Sequence, residues 1–186
     1  MNNLEKMIEK NKKKVLDIWF ESVLNSYPKD KNRFLATKND QFLNPIGSNI
    51  KGSLKDVLEE LLKKNPDLDS LEKFLDPVIR IAAVQEFKAS SATAFIFSLK
   101  EILRVEFQGE VKAFHKELDA FSSKVDMLAL IAFEIYTGCR EKIFELKARH
   151  VNERTLNILK AKDVFVEIPE VGTDIISHEI YKKSGF

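Results

Sequence analysis

Val125-Asp126-Met127-Leu128-Ala129-Leu130-Ile131-Ala132-Phe133-Glu134-Ile135-Tyr136 is the stretch on which the fold turns. Met127 to Phe133 is apolar without interruption. A helix apolar on every side is buried on every side, so this segment is expected to be a central helix with others packed around it. Outward in both directions, Val111, Phe114, Leu118, Phe121, Val125, Leu128, Ala132, Ile135 and Cys139 alternate steps of three and four, a heptad-like seam. Unbroken from Glu110 to Leu159, such a helix would run roughly 75 Å at ~1.5 Å per residue. That would overhang a domain of this size, so a bend near Ser122-Ser123 or a projecting C-terminal end is expected.

The segments around it also carry helical spacing. Asn3 to Ser26 lines up Leu4, Met7, Ile8, Val15, Ile18, Trp19, Ser22 and Val23 on one face, and ends at Tyr27-Pro28. A short helical piece is expected from about Asp30 to Thr37. Asn44-Pro45 and Asp76-Pro77 each offer a capping oxygen followed by a proline in the first helical position, so a helix is expected to start at each. The first carries Ile46, Ile50, Leu54, Val57, Leu58, Leu61 and Leu62 and closes before Asn65-Pro66. The second carries Val78, Ile81, Ala82 and Gln85, with a short helix over Asp69 to Leu75 leading into it. Ser90 is the expected N-cap of the next, which carries Phe95, Ile96, Leu99, Ile102 and Leu103 and ends near Gly109. With strand-like alternation nearly absent, the reading is all-α: about six to seven helices around a central one, with a long C-terminal helix.

Residues 163–186 break the pattern, holding Val164-Phe165-Val166, Val171 and Ile175-Ile176 beside Pro169, Gly172 and Gly185. The expected organisation is therefore a helical domain over residues 1–162 and an acidic, mostly irregular tail over 163–186. The tail carries a formal charge of −3, five acids against Lys182 and Lys183, while Lys147 to Lys162 carries +4, five basic residues against Glu153. A tail that docks on that basic helix, or on a partner, is one reading of this contrast.

Bulk composition narrows the function. Of 186 residues, 44% are hydrophobic, enough for one domain with a full core. Thirty Lys+Arg against 29 Asp+Glu leave a net charge of +1, without the basic excess of a dedicated nucleic-acid binder. The single cysteine, Cys139, excludes an intrachain disulfide and a four-ligand cysteine zinc site. The N-terminus has no apolar signal-like run, and no uncharged run approaches the ~20 residues of a membrane span, so a cytoplasmic chain without membrane insertion is expected.

No motif for chemistry is present. A P-loop, a G-x-G-x-x-G after a strand, H-E-x-x-H and an EF-hand loop are all missing. His115, His150 and His178 fall on separate segments, so the chain is expected to be no enzyme, with no cofactor and no metal. The alternative is a haem- or small-ligand-binding sensor; the central helix offers Cys139 and Tyr136 as haem ligands but no histidine. Trp19 lies on the buried stripe of the first helix, as a core anchor or a stacking ring.

Four charges stand out. Asp126, Glu134 and Arg140 have no opposite charge three or four residues away, and Arg80 has only Asp76, assigned above as a cap. Buried charges cannot be left unpaired, so pairing across helices is expected, with Arg80 to Glu134 or Asp126 the first candidate. The candidate ligand or partner pocket is accordingly Trp19, Arg80, Gln85, Asp126, Glu134, Tyr136, Cys139 and Arg140. A second candidate is an anion site at the helix N-terminus formed by Asn44, Pro45 and Gly47, where a first-turn glycine leaves amides approachable. Ser48 and Gly52, one turn apart, could also present a small-residue face to a crossing helix.

The pieces Ile18-Trp19-Phe20, Ser26-Tyr27-Pro28, Arg33-Phe34-Leu35, Asn44-Pro45-Ile46-Gly47, Ile79 to Phe87, Ala94 to Phe97, Leu130 to Tyr136 and Cys139 to Phe144 follow one another in an order that resembles the N-terminal domain of the RsbRD-type RsbT co-antagonist family. The resemblance spans roughly Leu4 to Arg149. It implies a globin-like helical sensory domain that lacks haem and is often a homodimer, placed before a STAS domain in stress-signalling assemblies. The two dozen residues after the long helix leave no room for a STAS module, so a stand-alone regulatory or docking role is expected. Stand-alone versions of the family also occur beside membrane redox complexes of sulfur metabolism, which implies assembly-factor or regulatory partners there.

Overall fold

The computed structural model describes residues 2–26, 44–107 and 114–162. Among these every regular element is a helix: α1 (Asn3–Lys10), α2 (Lys12–Ser26), α3 (Pro45–Leu61), α4 (Leu68–Val84), α5 (Ala89–Glu106) and α6 (His115–Ala161). The all-α expectation is met. The expected helix over Asp30 to Thr37, the stop at Gly109 and the tail lie outside the described residues.

The chain divides into two compact units, Met1–Phe144 and Glu145–Phe186. In the first, α3 packs on α4, and α2 packs on both α5 and α3. Ile50, Leu54, Val57, Leu58 and Leu61 are fully enclosed on α3, and Leu71, Leu75 and Ile79 are buried on α4, the helix packed against it. Each such side chain contributes about 1.5–3 kcal/mol on leaving water. Trp19 is the largest fully buried side chain. Its indole Nε1 donates to the Phe95 carbonyl at 2.8 Å, and its ring meets that of Phe95 at 6.2 Å between centroids. A buried indole needs such an acceptor, and here it ties α2 to α5.

The α6 seam is buried as its spacing predicts: Leu118, Phe121, Val125, Leu128, Ala132 and Ile135 are enclosed, and Cys139 is half-buried. The helix is a single element through Ser122-Ser123, where Ser123 returns its hydroxyl to the Asp119 carbonyl. In the second unit residues 145–162 are described, and every one is exposed.

Three expectations are corrected besides the single helix over Asn3 to Ser26, which divides at Asn11 into α1 and α2. Met127 to Phe133 is not enclosed on all sides: Met127 is 46% exposed, Leu130 65% and Phe133 52%. The seam fills one side of α6, and Met127, Leu130 and Phe133 lie outside it. Second, Asp76-Pro77 does not start a helix, because α4 begins at Leu68 under an Asp67 cap and runs through Pro77. An interior proline costs roughly 3 kcal/mol. The buried stripe Leu71, Leu75, Val78, Ile79, Ala82 and Ala83 spans both sides of it and outweighs that cost. Third, α5 starts at Ala89 after Lys88 in extended backbone, so Ser90 lies within the first turn and is not the cap.

Candidate functional site

The polar side chains predicted from sequence gather chiefly where α6 meets the end of α4. Helix α4 stops with Glu86 in the left-handed region (φ 60°), while the Glu86 amide bonds to Ala83 and the Phe87 amide to Ala82. This is a Schellman closure built on glutamate where glycine is usual. Two residues of α6 grip it. Tyr136, buried, donates its hydroxyl to the Phe87 carbonyl. Arg140 Nη1 donates to the Ala83 carbonyl at 3.2 Å and lies 3.7 Å from Glu86 Oε1. The Arg140 guanidinium also lies over the Phe144 ring, 4.9 Å from its centroid. Gln85 sits in the same closure with its Oε1 buried and without a hydrogen-bond partner.

One face further round, a groove of about 370 Å³ opens between α4 (Glu72, Asp76, Arg80) and α6 (Glu134, Cys139, Lys142). Arg80 holds Asp76 through two bonds, Nε to Oδ2 at 3.0 Å and Nη2 to Oδ1 at 2.6 Å. The carboxylate hydrogen-bonded to it raises the guanidinium pKa further above its ordinary value. The expected pairing of Arg80 with Glu134 or Asp126 is thereby corrected. Asp76 is no cap, so it is free to serve as the partner one turn away. Asp126 pairs instead with Lys100 of α5 at 2.6 Å. Arg80, Glu134 and Cys139 do come together in the groove, and Gln85, Tyr136 and Arg140 in the adjoining closure. Trp19 belongs to the core and Asp126 to the α5–α6 surface.

At Asn44, Oδ1 accepts the Gly47 amide at 2.8 Å, and a Cβ on Gly47 would collide with the Asn44 side chain. Gly47 is needed for its own cap. The amide an anion would use is taken from within, and Pro45 contributes none. Gly52 has nothing within 4 Å of where a Cβ would stand, so among the described residues no helix crosses closely there.

Sequence reasoning missed a surface. Phe97 of α5 is 46% exposed, and Lys100 Nζ lies 5.8 Å from its ring centroid while bonding Asp126. Lys100 thus joins Phe97 to Asp126, the neighbour in sequence of the exposed row Met127, Leu130 and Phe133 on α6. That row repeats every three residues, off the main seam, and a search for a second stripe would have found it. Among the described residues, no three His, Cys, Asp or Glu side chains gather into a metal cluster, and no helix is long and apolar enough to cross a membrane.

A family described as the RsbT co-antagonist protein rsbRD N-terminal domain matches residues 13–151, from the start of α2 well into α6. No curated protein and no solved structure matches the chain. The chain belongs to the RsbRD N-terminal domain family.

Proposed function

We propose that this member of the RsbRD N-terminal family is a non-enzymatic regulatory domain of a stress-response pathway that works by docking proteins, a second copy of itself first. One observation carries the reading: Met127, Leu130 and Phe133 form an exposed apolar row on α6, extended toward Phe97 through Lys100. Grouped exposed apolar side chains rimmed by charge mark interaction sites, whereas single ones need no explanation. The same helix grips the α4 closure through Tyr136 and Arg140. A partner that shifts α6 therefore acts directly on the end of α4.

Light scattering on the full chain tests this. At ~100 μM the wild type is expected to be a dimer, and Leu130→Glu with Phe133→Glu a monomer of unchanged helix content. A monomeric wild type, or a variant that still dimerises, would sink the self-pairing.

A second reading is favoured by the groove beside Arg80. Its volume is at the lower end of small-ligand sites. A ligand there would bridge α4 and α6 and bias the same closure. Native mass spectrometry of protein purified from its source decides: a bound small molecule lost in Arg80→Ala supports it, and a bare chain argues against it.

A further inference from the structure

We propose that residues 163–186 fold back onto the exposed face of α6 between Leu146 and Lys162 and cover it within the same chain. This is independent of the Met127 row, since it involves none of those residues.

Every residue from 145 to 162 is exposed, including Leu146 (51%), Val151 (60%), Leu156 (45%) and Ile158 (59%). A helical run that buries nothing draws no packing energy from its own face and leaves Val151, Leu156 and Ile158 open to a cover. Ala148, Val151, Thr155 and Ile158 fall at steps of three, four and three, and Lys147 and Arg154 directly precede two of them. The segment that follows carries the matching pattern: Val164, Ile168, Val171 and Ile175 fall at steps of four, three and four, each directly preceded by an acid, Asp163, Glu167, Glu170 or Asp174. Three- and four-residue spacing thus recurs in both, apolar but for Thr155, with opposite charges beside it.

Charge and reach select this occupant over a second copy. Residues 147–162 carry a formal +4 and residues 163–186 carry −3. Two copies of the helix face would oppose like charges, which disfavours self-pairing there. Tethered at Lys162, the segment spans up to ~80 Å if extended, against a helical face of roughly 25 Å. Such tethering supplies an effective concentration in the millimolar range, enough for a weak contact to persist. While the segment lies there, the basic apolar face is withheld from any other acidic partner.

Hydrogen exchange followed by mass spectrometry tests this on the full chain, at two protein concentrations tenfold apart. The amides of 145–162 are expected to exchange about tenfold more slowly than in a chain ending at Lys162, equally at both concentrations. Arg149→Glu with Arg154→Glu should remove the protection, and adding Glu167→Lys with Glu170→Lys should restore it. Equal exchange with and without residues 163–186 would overturn the proposal. So would protection that grows with concentration, which would identify a second copy as the cover.

Discussion

The two faces of α6 between Leu118 and Arg140 differ in a way that separates folding from docking. One face carries Leu118, Phe121, Val125, Leu128, Ala132 and Ile135 into the core. Four polar anchors go with it. Glu117 accepts the Leu4 amide, Lys124 donates to the Leu61 and Lys63 carbonyls, Tyr136 bonds Phe87, and Arg140 bonds Ala83. The other face carries side chains just as apolar, Met127, Leu130 and Phe133, and leaves them in water. Composition cannot tell these faces apart. Only the second face has apolar surface left to offer a partner.

The comparison is broken most directly by equal truncations on the two sides. Leu128→Ala removes a fully buried side chain and is expected to cost about 2–5 kcal/mol in chemical denaturation. Leu130→Ala, two residues on and 65% exposed, is expected to change monomer stability by no more than about 0.5 kcal/mol. Equal losses at the two positions would mean that the exposed face is covered in the native protein.

Next in size is Tyr136→Phe, which keeps the ring and removes the buried hydroxyl that donates to the Phe87 carbonyl. A loss of about 1–3 kcal/mol is expected. Thr137→Val, at the neighbouring half-buried position, should cost less, because its hydroxyl bonds carbonyls of its own helix. Comparable losses would remove the special standing of the α4 closure.

Much of this division was legible in the residues, and the parts that were not have physical causes. The seam follows from period alone, since 3.5-residue repetition over nine positions has few other uses. The exposed row looks buried in sequence because Met127 to Phe133 lacks any polar residue, and hydropathy does not say how many neighbours a helix has. In sequence, Arg80 lacks a local partner because Asp76 before Pro77 has the form of a cap. The buried stripe on both sides of that proline decided the matter, and such packing is not local. The Asn44 cap was legible, whereas its self-sufficiency required seeing the side chain fill the space a Cβ would need at Gly47.

A carboxylate in the same unit extends the contrast to pH. Glu60 is 4% exposed, accepts the Asp67 amide at 2.9 Å and holds Lys63 at 2.6 Å. The backbone bond first, and Lys63 second, hold its pKa below the ordinary glutamate value. A pKa lowered by folding gives stability that is present above the unfolded value, near ~4.3, and lost as pH falls through the folded one. Thermal melts of Glu60→Gln should therefore show a smaller drop on acidification than wild type. Parallel acid limbs in the two proteins would show that Glu60 contributes nothing to the closure between α3 and α4.

The smallest expected effect is a gain. Gly138 lies inside α6 among Tyr136, Thr137 and Cys139, with nothing within 4 Å of where a Cβ would stand. Glycine within a helix costs about 0.5–1 kcal/mol relative to alanine through the freedom it loses on folding. Gly138→Ala should stabilise the isolated protein by up to that amount in urea titration. Yet Gly138 also lines the groove beside Arg80. If the groove only separates two helices, the gain appears and partner binding stays as it was. If a ligand uses the groove, the added methyl raises stability while weakening that ligand, a split that packing alone does not produce.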